Sequence, residues 1–291
     1  MTIAIGFMLG YGAVLCADSQ EVVGDYAKTT TQKIQTLHSP GKWRIALVGA
    51  GDSACIELCN EEVTRKIGAL TAFDYQKMLD IVRSTIREIH EQHIWPRQAP
   101  DRPSFSMLIA LQGINPGARA LLFTQDTIVL PVDHYKSIGI GSYLADYLHD
   151  RIYPTPGWDY KSSPEEAARN AIFILDQVKS AIQGCDGETI VAILGGDGTF
   201  RWVIGSEVEQ IEGWFNDFNS STLSLRSLFS RPDIGDGDFA RELLQFDADM
   251  KLLRARQAQD AETHTKRYAE FIKAQKKAFK KTSAGGEEIS R

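Results

Sequence analysis

Residues 2–18 read TIAIGFMLGYGAVLCAD, and this stretch decides the fold. Ile3 to Leu9 is a nearly unbroken apolar run that reads as a strand, Gly10-Tyr11-Gly12 as a turn, and Ala13 to Ala17 as a second strand ending on Asp18. A hairpin of this kind carries the Asp18 carboxylate back to the start of the first strand, where Thr2 sits. An initiator Met before so small a side chain is usually clipped, which leaves an amine and a hydroxyl on the same residue. Lys33 follows at the close of a third extended segment.

A threonine hydroxyl is a poor nucleophile near neutral pH and needs a base that is largely neutral under those conditions. An α-amine, with a reference pKa of roughly 8, qualifies. A lysine ammonium beside it lowers the amine's proton affinity and stabilises developing negative charge, while an aspartate holds the lysine in place. Thr2, Asp18 and Lys33 are the residues that fit these roles.

Four segments, Thr2-Ile-Ala-Ile, Gly12-Ala-Val-Leu-Cys-Ala-Asp18-Ser19, Gly24-Asp-Tyr26 and Lys33-Ile34, resemble the opening of a proteasome β-type subunit of the N-terminal nucleophile (Ntn) hydrolases, here of a bacterial proteasome-like kind. Val48-Gly-Ala-Gly-Asp-Ser-Ala-Cys55 resembles the Gly-rich turn that opens that family's first long helix. The resemblance extends through Ser137-Ile-Gly-Ile-Gly-Ser142 and the hairpin near Gly196, over about the first two hundred residues. It implies an α+β fold, a four-layer αββα sandwich, with a catalytic Thr2 tuned by Asp18 and Lys33. It also implies backbone N–H donors to the acyl oxyanion from Gly49, Ala50 or Gly51, with Ser142 and Asp186 in support. A peptide or small amide substrate and assembly into a homo-oligomeric ring follow from the same resemblance.

Three departures bear on activity. Ile140 stands where active members carry a serine that assists the nucleophile's amine, so only Ser142 matches there. A second serine and an aspartate become Cys185 and Ile182, although Asp186 lies close enough for a shifted register to recruit it. The spacing from Gly24 to Lys33 is one residue short, and without a loop deletion Ile34 takes the lysine position. A ring-forming scaffold without chemistry therefore stands beside the hydrolase.

The chain has 291 residues, a formal charge of −6 and four cysteines. That balance argues against broad nucleic-acid binding, which needs a basic face to neutralise phosphates. The apolar start lacks a basic leader and is punctuated by Gly6, Gly10 and Gly12, so it reads as strands, not an export signal. Without some twenty uninterrupted apolar residues no membrane span is expected, and the expected location is cytoplasmic. Cys16, Cys55, Cys59 and Cys185 fit a reducing compartment and lack zinc spacing, and His90 and His93 have no third ligand nearby. No metal or cofactor is expected.

Further along, Trp43 to Val48 reads as a strand, with Asp52 or Ser53 opening a helix and a second helix starting near Phe73. Phe105 to Leu111, Ala118 to Phe123 and Thr127 to Pro131 read as strands, the first two joined by Gly113-Ile-Asn-Pro-Gly117. Ser142 to about Arg151 and a helix from Pro164, capped by Ser163 with Glu166, follow. Glu188 to Leu194 and Thr199 to Ile204 read as a hairpin around Gly195-Gly-Asp-Gly198. The Gly195 to Thr199 run also resembles the nucleotide signature of diacylglycerol and nicotinamide-nucleotide kinases, in which glycine backbone approaches phosphate, and it keeps a nucleotide-dependent kinase as a third possibility. The expected organisation is a catalytic domain over 1–205, a serine-rich connector over 206–235, a helical arm over 236–281 and a disordered tail over 282–291.

Overall fold

A computed structural model describes residues 2–23, 27–113, 118–155, 161–196, 199–231 and 233–284. The expectations that rest on Gly24 to Tyr26, on the turn at 114–117, on Asp197 and Gly198, and on residues 285–291 lie outside the described residues.

Strand β1 (Ile3–Leu9) and β2 (Gly12–Asp18) form the hairpin, in a register that sets Ala4 opposite Ala17 and Leu9 opposite Gly12. Every β2 residue is buried, because this strand is central in a sheet ordered β10-β1-β2-β11-β12. The other strands there are β10 (Tyr135–Gly139), β11 (Thr189–Gly195) and β12 (Phe200–Val203), and all the pairings are antiparallel. A second antiparallel sheet runs β5 (Gln35–Ser39), β6 (Trp43–Gly51), β7 (Phe105–Gly113), β8 (Arg119–Gln125) and β9 (Ile128–Val132) in order. Between them in sequence, β3 (Gln20–Val23) and β4 (Ala27–Thr30) pair only with each other.

Among the described residues, two apolar clusters hold these elements. Ala4, Leu15, Ala17, Ile34, Val48, Leu108, Leu121 and Ile138 come from both sheets and form one cluster. The other joins Ile45, Leu47, Met107 and Ile109 to helices α1 (Ser53–Gly68) and α2 (Tyr75–Ile89) through Cys59, Val63, Ile67, Met78, Val82 and Ile86. With Leu79 and Ile89 the α2 residues recur three and four apart, which gives the helix one apolar stripe. Helices α3 (Ser142–Ile152) and α4 (Pro164–Ala181) contact strands of the first sheet. Asp52 and Asp74 cap α1 and α2 by accepting from the N–H groups of Cys55 and Lys77, and Ser163 caps α4 by accepting from Glu166.

The expected four-layer αββα sandwich is corrected. The described residues form two antiparallel five-stranded sheets, a detached two-stranded ribbon and six α-helices, not a clear four-layer sandwich. The β3–β4 ribbon belongs to neither sheet, and the two longest helices among the described residues, α5 (Ser206–Phe229) and α6 (Asp236–Ala284), make up most of the C-terminal part.

The chain divides into two compact units, Met1–Ile211 and Glu212–Arg291. Within the second, α5 and α6 meet through an edge-to-face contact of Phe229 with Phe239 and an ion pair of Arg256 with Asp217 at 3.5 Å. The serine-rich segment expected as a connector is helical up to Phe229. Its hydroxyls bond back into their own helix, Thr222 to the Phe218 carbonyl and Ser224 to that of Ser220, so they do not unravel it. No helix among the described residues is long and apolar enough to cross a membrane.

Candidate active site

The hairpin sets Thr2 just before β1 and Asp18 at the end of β2, one pair beyond the Ala4–Ala17 register. Lys33 enters from the extended stretch between β4 and β5. Its Nζ donates to Thr2 Oγ1 at 2.9 Å and to Asp18 Oδ1 at 2.8 Å. Asp18 Oδ1 also accepts from the Ile3 N–H at 3.1 Å, so one carboxylate fixes both the lysine and the backbone next to the threonine. The neighbouring Ile34 is fully buried in the apolar cluster shared by the two sheets. Lys33, not Ile34, therefore occupies the position beside Thr2.

Asp18 has no exposed surface, and the Lys33 side chain is 9% exposed. Burial pushes the Asp18 carboxyl above the usual aspartate range, against the pull of the Lys33 ammonium and of the N–H groups of Ile3 and Asp186. The direction shows that desolvation outweighs the pairing.

Strand β10 clamps Thr2 from the other side. The Ile140 N–H donates to the Thr2 carbonyl at 3.1 Å, and Gly139, at φ +100°, lies so close that a Cβ there would be 1.9 Å from that oxygen. Only glycine fits this approach. The Ser137–Ser142 motif therefore acts through its backbone, a role sequence reading did not assign to it; the glycine at 139 was the available signal.

Of the three oxyanion candidates, strand alternation separates one from the others. Gly49 and Gly51 line a cavity of about 120 Å³ together with Thr2 and Lys33, whereas Ala50 packs into the cluster between the sheets. Gly51, at φ +120°, turns the chain out of β6 into the Asp52 cap.

The supporting residues stand further off. Ser142 opens α3 and its carbonyl accepts from Ser137 Oγ at 3.1 Å; no bond from Ser142 to Thr2 is found among the described residues. Asp186 reaches the site through its main chain, its N–H lying 3.4 Å from Asp18 Oδ2, while its own carboxylate accepts from the Gly187 N–H. Ile140 is 47% exposed and Ile182 ends α4. Cys185 is buried next to Gly141, and burial pushes its thiol up to about 11, so at neutral pH it is a thiol and not a base.

A larger cavity, about 870 Å³, lies between β9, β10 and α3, lined by Tyr135, Asp146 and His149 among others, and contains none of the predicted residues. No group of three or more His, Cys, Asp or Glu among the described residues is arranged to hold a metal ion. The Gly195 to Thr199 run joins antiparallel strands: Leu194 pairs with Phe200, and the Thr199 carbonyl accepts from the Gly195 N–H at 2.9 Å.

Together the fold and the trio describe a threonine at the head of a strand, held by a lysine–aspartate pair. In fold the chain is similar to Anbu from Hyphomicrobium sp. strain MC1, at a TM-score of 0.64 and 17% identity, over 81% of this chain and 100% of that one. It is also similar to Anbu from Yersinia bercovieri, described as an ancestral beta-subunit, at 0.62 and 15% over 75% and 95%, and to a helical assembly of the Anbu complex from Pseudomonas aeruginosa, at 0.63 and 15% over 81% and 99%. No protein-family model matches the chain, and no curated protein matches it in sequence.

These findings correct the proteasome β-subunit-like assignment read from the sequence. The likeness established is one of fold, to Anbu structures, and neither a family model nor a sequence relative supports the narrower family. The motifs that suggested it are short.

Proposed function

We propose that the chain is a self-assembling threonine-type amide hydrolase acting on peptides. The observation that carries this reading is Lys33 Nζ bridging Thr2 Oγ1 and Asp18 Oδ1 at hydrogen-bond distance on a cavity wall. Once the peptide bond before Thr2 is cleaved, the freed amine takes the hydroxyl proton and Oγ1 attacks an amide carbonyl carbon. Lys33 donates to Oγ1 as negative charge develops and favours the neutral amine, while Asp18 holds the lysine. The backbone between Gly49 and Gly51 donates to the carbonyl oxyanion, with Gly49 and Gly51 the candidates that line the cavity. The amine then returns its proton to the leaving nitrogen, which leaves an ester on Thr2. Water, deprotonated by the same amine, hydrolyses that ester and releases the acid.

Self-assembly is supported by the fold likeness to structures that include a helical assembly of Anbu. A ring-forming scaffold without turnover is the second reading, favoured by Ile140 and Ile182 at positions expected to be polar and by the lack of a hydrogen bond between Ser142 and Thr2 among the described residues. The kinase reading has less support, since the strands on either side of its glycine run pair antiparallel, Leu194 with Phe200.

Hydrolysis of fluorogenic peptide amides by protein beginning at Thr2 separates these readings. Thr2→Ala is expected to reduce kcat/KM at least about a thousandfold. Turnover unchanged in Thr2→Ala overturns the hydrolase.

A further inference from the structure

The second sheet carries a row of polar residues across three of its strands. Register sets His38 of β5 opposite Arg44 of β6, and Arg44 opposite Gln112 of β7, so the three share one face at neighbouring positions. On that face Gln112 Nε2 donates to the Gly195 carbonyl, and the Arg44 guanidinium lies 5.0 Å from the centre of the Phe200 ring. The row therefore meets the end of the β11–β12 hairpin. A cavity of about 80 Å³ opens there, lined by His38, Lys42, Arg44, Gln112 and Thr199 among others. None of the residues around Thr2 belongs to it.

Its wall is basic and also holds an unpaired acceptor. Of the described residues that line it none is a carboxylate, whereas Lys42 and Arg44 are cations and His38 becomes one on protonation. Gln112 is 4% exposed, and its Oε1 has no hydrogen-bond partner among the described residues. Because Nε2 donates to a carbonyl, the amide cannot be turned round, and Oε1 can only accept. A buried acceptor without a donor is costly, and a ligand that brings a donor recovers that cost. Negative charge and a hydroxyl on one small ligand satisfy both parts of the wall. The space amounts to roughly two to three water volumes, which fits one tetrahedral oxyanion and little more.

We infer that this cavity binds inorganic phosphate, with Lys42 and Arg44 donating to its charged oxygens and its P–O–H group donating to Gln112 Oε1. Sulfate has the same shape but no proton at neutral pH, so it leaves Oε1 unpaired. A phosphate monoester well above its second pKa of about 6 has lost its hydroxyl as well, and its organic group needs room outside the cavity. Gln112 is thus the residue that separates phosphate from both, while the two cations supply attraction without that choice. The inference is independent of the hydrolase reading.

Equilibrium dialysis of the whole chain against labelled phosphate at pH 8, with sulfate and a nucleoside monophosphate as competitors, tests it. Phosphate is expected to bind once per chain with a Kd of about 0.1 mM or below, and each competitor at least about tenfold more weakly. Lys42→Met and Arg44→Met each weaken phosphate by about fivefold or more. In Gln112→Met the preference for phosphate over sulfate falls to within about twofold, a ratio that partial unfolding of the variant does not alter. Sulfate competing as well as phosphate itself overturns the role of Gln112 and with it the assignment. A nucleoside monophosphate that binds more tightly than phosphate overturns the need for a hydroxyl. Phosphate that does not bind, or binds equally well in Lys42→Met and Arg44→Met, overturns the site.

Discussion

Lys33→Met is expected to lower stability by about 3–5 kcal/mol, because it strands the Asp18 carboxylate in a fully buried position without its cation. In the same variant amide hydrolysis drops by roughly 10²–10⁴-fold, since the group that donates to Thr2 Oγ1 is gone. The pH dependence has a definite sign. A raised Asp18 pKa means the folded state holds a proton that the unfolded chain has released, so this group's contribution to stability is full below the unfolded value of 3.8 and is lost as pH rises through the folded value. Removing Lys33 removes the main force pulling that value down. The penalty of Lys33→Met is therefore largest at neutral pH and shrinks toward pH 4, whereas Asp18→Asn with Lys33→Met recovers much of the stability and flattens the curve. Urea denaturation at several pH values reads all three. A Lys33→Met penalty that does not change with pH contradicts the buried pair.

Gly139→Ala carries the second large effect. A Cβ there would lie 1.9 Å from the Thr2 carbonyl oxygen and 2.8 Å from its carbon, on a backbone already at φ +100°. The strained backbone alone costs about 1–3 kcal/mol, and relief of the clash moves Thr2 relative to Lys33. Displacement of a nucleophile by about 1 Å costs on the order of 10²-fold in rate. Gly41→Ala supplies the contrast, since its φ is also positive, +71°, but nothing lies within 4 Å of an added Cβ. That substitution is expected to cost about 1 kcal/mol and to leave hydrolysis unchanged. Thermal melts and kcat/KM measured for both variants distinguish a specific backbone clamp from general strain.

Much of the site was legible because its geometry is local. An apolar run, a Gly-Tyr-Gly turn and a second apolar run ending in aspartate leave little choice but a hairpin, and a hairpin returns Asp18 to Thr2. Lys33 was harder, because the connection before it runs through residues whose spacing left Ile34 as a rival. Side-chain chemistry decides between them: Ile34 is buried among Val48 and Leu108, a place no lysine takes without a partner. The clamp by Gly139 and Ile140 left only the glycine at 139 as a signal, since it pairs backbone groups more than 130 residues apart and depends on β10 lying beside β1. The oxyanion candidates could be narrowed only once the face of β6 was known.

Layering was misread for a different reason. The order of strands and helices in the first two hundred residues suggested stacked layers, but order says nothing about a ribbon that leaves both sheets or about the weight of the helices beyond them. The serine-rich segment after Gly205 looked like a linker, because serine competes with helical hydrogen bonding in isolation. In the chain its hydroxyls bond to carbonyls one turn back, and Trp214, Leu228 and Leu253 become buried, which favours helix over coil.

The most direct measurement is the intact mass of protein beginning at Thr2 after exposure to an epoxyketone or a β-lactone, followed by mapping of the modified peptide. One adduct per chain is expected, located on Thr2 and absent from Lys33→Met treated alike. A Thr2 that is amino-terminal, folded and still unmodified contradicts it.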